Sequence, residues 1–236
     1  MNDAAPGLSG QPTCLWKALL KNESIVHALL QIMQTVWRTK STPEDWRKMY
    51  MVILAKDGDL TLPENFRGIS MAELFAKLYA HVLKGRLEVD YEEIAPEYAN
   101  GFRPGRGRGD SIMTMKETLR KRKASGLDSY AIFWDVIKCF DKIPRKHLWR
   151  AMAKCGVDTQ LIQAVQSTLE NTTCTLKIGD ETRQINMKEG TGQETVLEPT
   201  LCSFFFLPVL ELWCQDKKKC HTTMKKMQKM RGDKKK

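Results

Sequence analysis

Apolar residues recur at helical intervals early in the chain. Their spacing of three and four positions puts a single apolar stripe on one helix face. Asn22 or Ser24 is suited to cap the start of this helix, and Thr42 followed by Pro43 predicts a second, short helix. The stripe consists of Ile25, Ala28, Leu29, Ile32, Met33, Val36 and Trp37.

Short apolar runs bounded by turn residues predict strands. Residues 49–55 predict a buried strand, Asp57-Gly58-Asp59 a turn, and an extended stretch leads on to residues 66–71. Residues 130–134 carry no charge, which predicts a strand buried on both faces and ending at Asp135. Residues 173–187 predict a hairpin around Gly179-Asp180.

Further helices are predicted between these strands, so the chain belongs to the α+β class. The loop at residues 95–109 is rich in Gly, Pro and Arg, and Gly126 is expected to end the helix that follows Asp110. The predicted helices are residues 72–87 with Leu74, Phe75, Leu78 and Val82 on one side, a helix after Asp110 with Ile112, Met115 and Leu119 facing inward, residues 145–154, residues 158–170, and an apolar helix ending near Trp213.

The positive charge is concentrated at one end of the chain. The net charge is +10, and residues 216–236 contribute +8 of it through ten Lys or Arg and two Asp residues. The other 215 residues are therefore close to neutral. We expect this tail to be disordered, because like charges repel and few of its residues could be buried. A Lys-rich tail attracts RNA, DNA or an acidic protein surface without distinguishing between them.

Cysteine and histidine usage argues against a metal or disulfide framework. The seven cysteines form no C-x-x-C pair and their number is odd, and the four histidines are scattered. We therefore expect reduced thiols, an intracellular reducing compartment and no structural zinc. The amino-terminal residues resemble no secretory signal, and the longest apolar stretch is interrupted by Glu198, Pro208 and Glu211, so no membrane span is expected.

Two segments carry residues suited to chemistry. Asp135, at the end of a predicted strand, could present a carboxylate to a divalent metal, or could be a structural cap or surface residue. Lys56 and Arg67 flank a turn, and a hairpin would bring both cations to one face. Such a pair suits a triphosphate, with solvated surface charge as the alternative.

The blocks of sequence that contain these residues, taken in order, resemble the reverse transcriptase domain of non-LTR retrotransposons, which is an RNA-directed DNA polymerase. The resemblance runs from about residue 46 to residue 213. The blocks are WRKMYMVILAKDGDLTLPENFRGIS, KLYAHVLKGRL, NGFRPGRGRGDSI, AIFWDVIKCFDKIPRKHLW, GVD and EGTGQETVLEPTL.

This resemblance implies the fingers and partial palm of a right-hand polymerase. Residues 1–45 would be a helical lead-in, 46–130 the fingers-like region, 131–215 the partial palm and 216–236 the basic tail. It further implies that Asp135 is a ligand of catalytic Mg²⁺, that nucleotide is bound by Lys56, Arg67, Phe140 and Gln193, and that nucleic acid is bound by Arg103, Arg106 and Arg108.

The sequence departs from the family pattern in ways that bear on catalysis. Gly192 and Glu194 flank Gln193 where the family usually has arginine and glycine, and Ala99 replaces a glutamine. The Tyr-x-Asp-Asp motif that supplies the other metal carboxylates does not occur in this sequence, and neither does a thumb. Asp135 alone cannot hold two metal ions, so we expect an incomplete Mg²⁺ site and an inactive polymerase.

Three hypotheses follow. The domain could bind RNA or an RNA–DNA duplex without catalysing polymerisation. It could be a structural subunit whose truncated palm is covered by a protein partner. It could be an active polymerase completed by another chain or by sequence outside this one. The resemblance places the protein in the nucleus or cytoplasm, and the sequence does not choose between the first two hypotheses.

Overall fold

The protein folds as a mixed α+β structure around one four-stranded sheet. The computed structural model describes residues 6–131, 133, 135–136, 139–178, 181–191 and 196–212. Its helices are α1 (Thr13–Leu19), α2 (Glu23–Thr39), α3 (Leu74–Ile94), α4 (Arg108–Ala124), α5 (Cys139–Lys142), α6 (Arg145–Lys154) and α7 (Thr159–Leu169), with short 3₁₀ turns at Glu44–Arg47 and Pro63–Asn65. The strands are β1 (Lys48–Ala55), β2 (Phe66–Ala72), β3 (Thr173–Ile178) and β4 (Glu181–Asn186), and residues 198–212 are also helical.

The sheet combines two antiparallel hairpins through one parallel pairing. Its strand order is β2-β1-β3-β4. Strands β1 and β2 pair from Met49 opposite Ala72 to Ala55 opposite Phe66. The central pair, β1 and β3, is parallel, with Met49 opposite Cys174. Met49 and Cys174 are both buried, so they identify the sheet face that contacts the core.

The core forms where α3, α6, α7 and the helical segment 198–212 pack together. The buried stripe of α3 is Tyr79, Leu83, Leu87 and Tyr91, spaced by four residues. Aromatic rings connect it to its neighbours: Tyr91 meets Phe204 edge-on with centroids 5.1 Å apart, and the Tyr79 and Trp46 centroids are 5.9 Å apart. Other core residues are Ile143, Leu148, Met152, Leu161, Val165, Leu197, Leu201 and Leu207.

Several predicted elements and boundaries are confirmed. Asn22 caps α2 by accepting a hydrogen bond from the Ser24 amide at 2.9 Å. Gly126 takes the left-handed conformation, φ +65°, directly after α4. The structure also contains five other predicted elements: the strand at residues 49–55, its partner strand at 66–71, the helices at 145–154 and 158–170, and the hairpin at 173–187. Asp110 supports the start of α4 from its third position, where its carboxylate accepts from the Gly107 amide at 2.7 Å.

Four predictions about burial are wrong. The strand at residues 49–55 was expected to be buried, but Met49 is its one buried residue and Leu54 is 47% exposed. The stripe assigned to the helix at residues 72–87 included Val82, which is 46% exposed, because α3 is apolar on more than one side and its buried stripe lies elsewhere. The inward face assigned to the helix after Asp110 is exposed along α4. The strand at residues 130–134 is not formed at the described positions, where Tyr130 is 92% and Phe133 80% exposed. A strand needs a ladder partner, and the described sheet ends at β2 and β4 without pairing this segment.

Several sequence predictions concern residues that the structure does not describe. The basic tail at 216–236, the turn at Gly179-Asp180, and Gln193 with its neighbours Gly192 and Glu194 all lie outside the described residues. Among the helices that are described, none combines the length and the apolar character needed to cross a membrane.

Candidate nucleotide and nucleic-acid site

The β1–β2 hairpin places Lys56 and Arg67 on the same face. Arg67 lies opposite Leu54 in the register, and the Lys56 amide donates to the Asn65 carbonyl at 2.7 Å, which continues that register by one pair. Residues two apart in a strand share a face, so the two cationic residues are diagonal neighbours. Both are exposed. The predicted hairpin is present, and its register is consistent with both cations on one face; their binding of a triphosphate stays a prediction.

The turn that joins the two strands is ordered by its own side chains. The Asp59 carboxylate accepts from the Thr61 amide at 2.9 Å and from the Thr61 hydroxyl at 2.8 Å, and these bonds lower the pKa of Asp59. The Asn65 side chain donates to the Asp59 carbonyl at 2.7 Å. Gly58 has φ +125° and a Cβ there would lie 3.0 Å from Asn65, so the turn favours glycine. The cations therefore extend from a defined hairpin.

Phe140, one of the residues predicted to bind nucleotide, contacts an aromatic ring from the loop at 95–109. Its ring meets that of Phe102 edge-on, with centroids 6.3 Å apart and an interplanar angle of 68°. Phe102 is 61% exposed and has φ +59°, an uncommon conformation for a residue with a side chain. Two segments 38 positions apart in the sequence thus meet at this aromatic pair.

Arg103, beside Phe102, is buried in contacts with the last turn of α3 and with its own loop. Its guanidinium binds both carboxylate oxygens of Glu92, with Nε–Oε1 2.9 Å and Nη2–Oε2 2.8 Å, and Nη1 donates to the carbonyls of Pro96 and Ala99. The Arg103 side chain is only 4% exposed. Hydrogen bonds from Arg103 lower the pKa of the Glu92 carboxyl. In this structure Arg103 attaches the loop to α3, and direct contact with a polyanion would require the pair with Glu92 to open.

The other two arginines predicted to bind nucleic acid are more accessible. Arg106 pairs with both carboxylate oxygens of Glu97 at 2.9 Å, and that Glu97 side chain is 88% exposed. Arg108 is exposed in the first turn of α4. This helix was predicted from the sequence, but its basic character was not: α4 holds six Lys or Arg residues, Arg108 included, against two acidic ones. This local charge was hidden because the 215 residues before the tail are close to neutral as a whole.

The loop that leads toward Gln193 is fixed against α5 by backbone contacts. The Gly190 amide donates to the Ile143 carbonyl at 2.9 Å, and the Thr191 amide donates to the Phe140 carbonyl at 3.0 Å. Gly190 has φ +77°, and a Cβ at this position would lie 2.7 Å from the Phe140 carbonyl oxygen. Only glycine fits here without movement of the backbone.

Arg145 ties this loop to the helices and was not identified from the sequence. Its guanidinium donates to the Gly190 carbonyl at 2.9 Å, to the Glu189 carbonyl at 3.4 Å and to the Leu169 carbonyl at the end of α7. Burial lowers the pKa of Arg145. A cation in the first turn of a helix opposes the helix dipole, so the position of Arg145 directly after Pro144 was a signal that it has partners elsewhere.

The described residues do not present a complete site for two metal ions. Asp135 is exposed and is assigned to no helix or strand. Within the described ranges, no three His, Cys, Asp or Glu side chains come together in a way that could hold a metal ion. Asp135 supplies one carboxylate, whereas a two-Mg²⁺ centre needs several to offset the charge. The residues described here therefore do not fit the complete metal pair that the resemblance implies.

Comparison with known protein families shows which family the sequence around these residues resembles. Residues 54–225 match the family described as "Reverse transcriptase (RNA-dependent DNA polymerase)". The matched range covers most of the chain and includes every site residue predicted from the sequence.

Individual relatives come from mobile genetic elements. The chain is 29% identical over 175 residues to the "Retrovirus-related Pol polyprotein from type-1 retrotransposable element R2" of Popillia japonica, an alignment that covers 73% of this chain and 24% of that protein. It is 22% identical over 182 residues to the "Transposon TX1 uncharacterized 149 kDa protein" of Xenopus laevis, covering 73% and 14%. It is 23% identical over 205 residues to the "Probable RNA-directed DNA polymerase from transposon BS" of Drosophila melanogaster, covering 85% and 22%. The chain thus spans a quarter or less of the length of these relatives.

Proposed function

The chain belongs to the reverse transcriptase (RNA-dependent DNA polymerase) family, of the kind found in non-LTR retrotransposons, and from this premise we propose that it binds RNA or an RNA–DNA duplex. We also propose that its β1–β2 hairpin grips the triphosphate of a nucleotide. The observation that carries the triphosphate proposal is the common face of Lys56 and Arg67 on this hairpin, and duplex binding is supported by the six Lys or Arg residues of α4. The matching regions of the chain would then act as fingers and partial palm.

The chemistry of the two cations suits phosphate oxygens. Arg67 can offer two parallel N–H donors to a phosphate, and Lys56 adds a compact charge beside it. Phe140 would lie under the sugar of the bound nucleotide and Gln193 would contact nucleotide and template. Along the nucleic acid, Arg106, Arg108 and the basic helix α4 would neutralise phosphates, and the tail would add affinity that does not depend on sequence.

We further propose that this chain does not polymerise DNA by itself. Asp135 is the one residue that matches a metal ligand of the family, and the described carboxylates form no larger cluster. Mg²⁺ would supply charge neutralisation and activation of the attacking hydroxyl if a complete site were assembled. The site residues named above would bind and orient phosphate, sugar and template.

Fluorescence anisotropy with a labelled RNA–DNA duplex and with a labelled deoxynucleoside triphosphate would test the binding proposal. We expect the Lys56→Ala/Arg67→Ala double variant to weaken triphosphate binding by about 10-fold or more, because it removes charge-assisted contacts. Lys21→Ala, which removes an exposed cation outside the hairpin, is the matched control and should leave affinity unchanged. Equal affinities for the double variant and the wild-type chain would refute a role of the hairpin.

The salt dependence of duplex binding would separate the body from the tail. A full-length variant with all ten Lys and Arg residues of 216–236 replaced by Gln should bind more weakly and with a shallower dependence on salt, because fewer counterions are released. A measurable affinity should remain and should fall further when Arg108 and Lys116 are also replaced. Complete loss of binding on neutralising the tail would contradict a role of the folded body.

Primer extension would test the proposal about catalysis. With Mg²⁺, a primed RNA template and all four deoxynucleoside triphosphates, we expect no product from wild-type protein. Product that depends on Mg²⁺ and disappears in Asp135→Asn would overturn the proposal and would show that the missing carboxylates are supplied by residues not identified here.

A second candidate function, as an assembly subunit, is favoured by exposed apolar residues around α4. Tyr130, Phe133 and Met113 are 92%, 80% and 68% exposed, more than is usual for large apolar side chains. Met115, Leu119 and Arg122 line an open groove next to Tyr130 and Phe133. Sedimentation of the endogenous protein with and without ribonuclease distinguishes the candidates. Collapse toward 27.1 kDa on RNA digestion favours nucleic-acid binding, and a large particle that resists digestion favours a protein assembly.

A further inference from the structure

Two cysteine thiols from distant parts of the chain are in contact. The Sγ atoms of Cys139 and Cys202 lie 3.2 Å apart, although the residues are 63 positions apart in the sequence. Cys139 is the first residue of α5 and is half-buried, whereas Cys202 lies in the helical segment 198–212 and is 6% exposed. A disulfide has an S–S distance of about 2.05 Å, so bond formation requires the sulfur atoms to approach by only ~1.2 Å.

We propose that Cys139 and Cys202 form a modification site, in which a two-electron oxidant of the peroxide class converts the thiol pair to an intramolecular disulfide. This inference is independent of the proposed function, because it rests on the thiol geometry alone. Both residues are free thiols in the described structure, which represents the reduced state.

The reaction balances in two steps. Peroxide oxidises the Cys139 thiol to a sulfenic acid, and one oxygen of the peroxide leaves as water. The Cys202 sulfur then attacks the Cys139 sulfur, the S–S bond forms, and the sulfenic oxygen leaves as a second water with the proton of the Cys202 thiol. Overall the two thiols lose two electrons and two protons, and one peroxide is reduced to two waters.

The environments of the two sulfur atoms indicate which cysteine reacts first with the oxidant. Burial, the hydrogen bond with Cys139 and the nearby Glu198 carboxylate all raise the pKa of the Cys202 thiol, so Cys202 remains protonated at neutral pH. A protonated buried thiol reacts slowly with peroxide, because the thiolate is the nucleophile. Cys139 is the more exposed of the two and is therefore the sulfur that meets the oxidant. Cys202 is the partner that resolves the sulfenic acid.

The disulfide would reinforce a junction that already exists. Gly190 and Thr191 attach their loop to Ile143 and Phe140 by backbone hydrogen bonds, and the helical segment 198–212 follows that loop. A covalent bond between Cys139 and Cys202 joins two residues 63 positions apart in the sequence and lowers the conformational entropy of the unfolded chain. We therefore expect the oxidised protein to melt about 3–10 °C higher than the reduced protein.

Mass spectrometry of the full chain tests the assignment. Reduced protein is treated with a small excess of hydrogen peroxide, remaining thiols are blocked with an alkylating agent, and the unreduced digest is mapped. We expect a peptide pair joining Cys139 to Cys202, lighter by two hydrogens than the separate peptides, and a melting temperature that returns to its starting value on reduction.

Three variants make the result specific. Cys139→Ser and Cys202→Ser should each abolish the crosslinked peptide and the rise in melting temperature. Cys155→Ser, which removes another half-buried thiol, should retain both. The proposal is overturned if wild-type Cys139 and Cys202 remain alkylatable under conditions that oxidise the exposed Cys14, or if either is crosslinked to a different cysteine, including Cys214 or Cys220. Because the wild-type digest decides the outcome, it does not depend on whether a variant folds.

Discussion

Arg145 and Gly190 connect the first turn of α6 to a loop 45 residues later. The Arg145 guanidinium donates to the Gly190 carbonyl at 2.9 Å, and the Gly190 amide donates to the Ile143 carbonyl at 2.9 Å. Both polar groups of Gly190 are thus bound to the segment around Pro144. This arrangement fixes the position of the loop at Gly190, three residues before Gln193. We therefore expect substitution of either Arg145 or Gly190 to reduce the stability of the fold.

Arg145→Lys should destabilise the protein even though the charge is kept. A lysine cannot span the carbonyls of Leu169, Glu189 and Gly190 with a planar fork of donors, and the carbonyls of the buried residues Leu169 and Gly190 would lose partners. We expect a loss of ~1–3 kcal/mol in the free energy of unfolding, measured by urea denaturation. Arg150→Lys, at an exposed position of the same helix, is the control and should change little. Equal midpoints for the two variants would mean that the guanidinium contacts do not stabilise the fold.

Gly190→Ala should be among the most damaging single substitutions in the described chain. The added Cβ would lie 2.7 Å from the Phe140 carbonyl oxygen, at φ +77°, where alanine is already strained. The expected loss is ~2–4 kcal/mol, seen as a fall in melting temperature. Gly85→Ala, at an open position inside α3, should raise stability slightly because alanine favours the helix. A neutral Gly190→Ala would indicate that the loop moves away from α5 at little cost.

Tyr79 and Tyr91 should respond differently to removal of a hydroxyl. Both lie in the buried stripe of α3, and burial raises the pKa of each. The Tyr79 hydroxyl has no hydrogen-bond partner among the described atoms, whereas that of Tyr91 bonds the Ser203 side chain. Tyr79→Phe should therefore leave stability unchanged or raise it by up to ~1 kcal/mol, and Tyr91→Phe should lower it by ~1 kcal/mol. A matching loss in Tyr79→Phe would reveal an ordered water bound to its hydroxyl.

The Glu92–Arg103 pair should make stability depend on pH below neutrality. Because Arg103 lowers the folded-state pKa of Glu92, the pair's contribution is full above the unfolded carboxyl pKa of ~4.3 and is lost as the pH falls through the folded value. Glu92→Gln should cost ~1–2 kcal/mol at pH 7, and its difference from wild type should shrink below about pH 4.

The control for this prediction is Glu97→Gln, which breaks a pair of similar geometry. Glu97 is 88% exposed, whereas the Arg103 side chain beside Glu92 is 4% exposed. We expect Glu97→Gln to leave the denaturation midpoint at its wild-type value at neutral pH. Equal effects of the two substitutions would show that burial of Arg103 is not what makes its pair stabilising.

Local sequence patterns predicted where helices and strands lie better than they predicted which faces of those elements are buried. The cap of α2, the β1–β2 hairpin and the end of α4 depend on residues close in sequence, and these predictions are confirmed. The buried side of α3 and the exposure of α4 depend on which distant elements pack against them, so spacing alone gave the wrong faces. The strand predicted at residues 130–134 shows the same limit, because an uncharged run is extended only where a neighbouring strand accepts its hydrogen bonds.

The candidate site divides in a similar way. The common face of Lys56 and Arg67 follows from the strand period and was predictable. The burial of Arg103 against Glu92 and the role of Arg145 follow from tertiary contacts across 11 and up to 45 residues, which composition does not encode. The binding and catalytic roles predicted for all of the site residues remain predictions: Lys56, Arg67, Arg103, Arg106, Arg108, Asp135, Phe140 and Gln193.

The parallel pairing of β1 with β3 has a consequence for how the chain is made on the ribosome. The β1–β2 hairpin is complete once residue 72 has emerged, but the parallel neighbour of β1 begins at residue 173. At typical rates of synthesis, the intervening stretch takes roughly 5 to 20 s to appear. During that interval one edge of β1 exposes unpaired amides and carbonyls in a nascent protein already long enough to aggregate. We expect ribosome-bound chains arrested between residues 72 and 173 to recruit chaperones, and chains arrested well after residue 186 to release them.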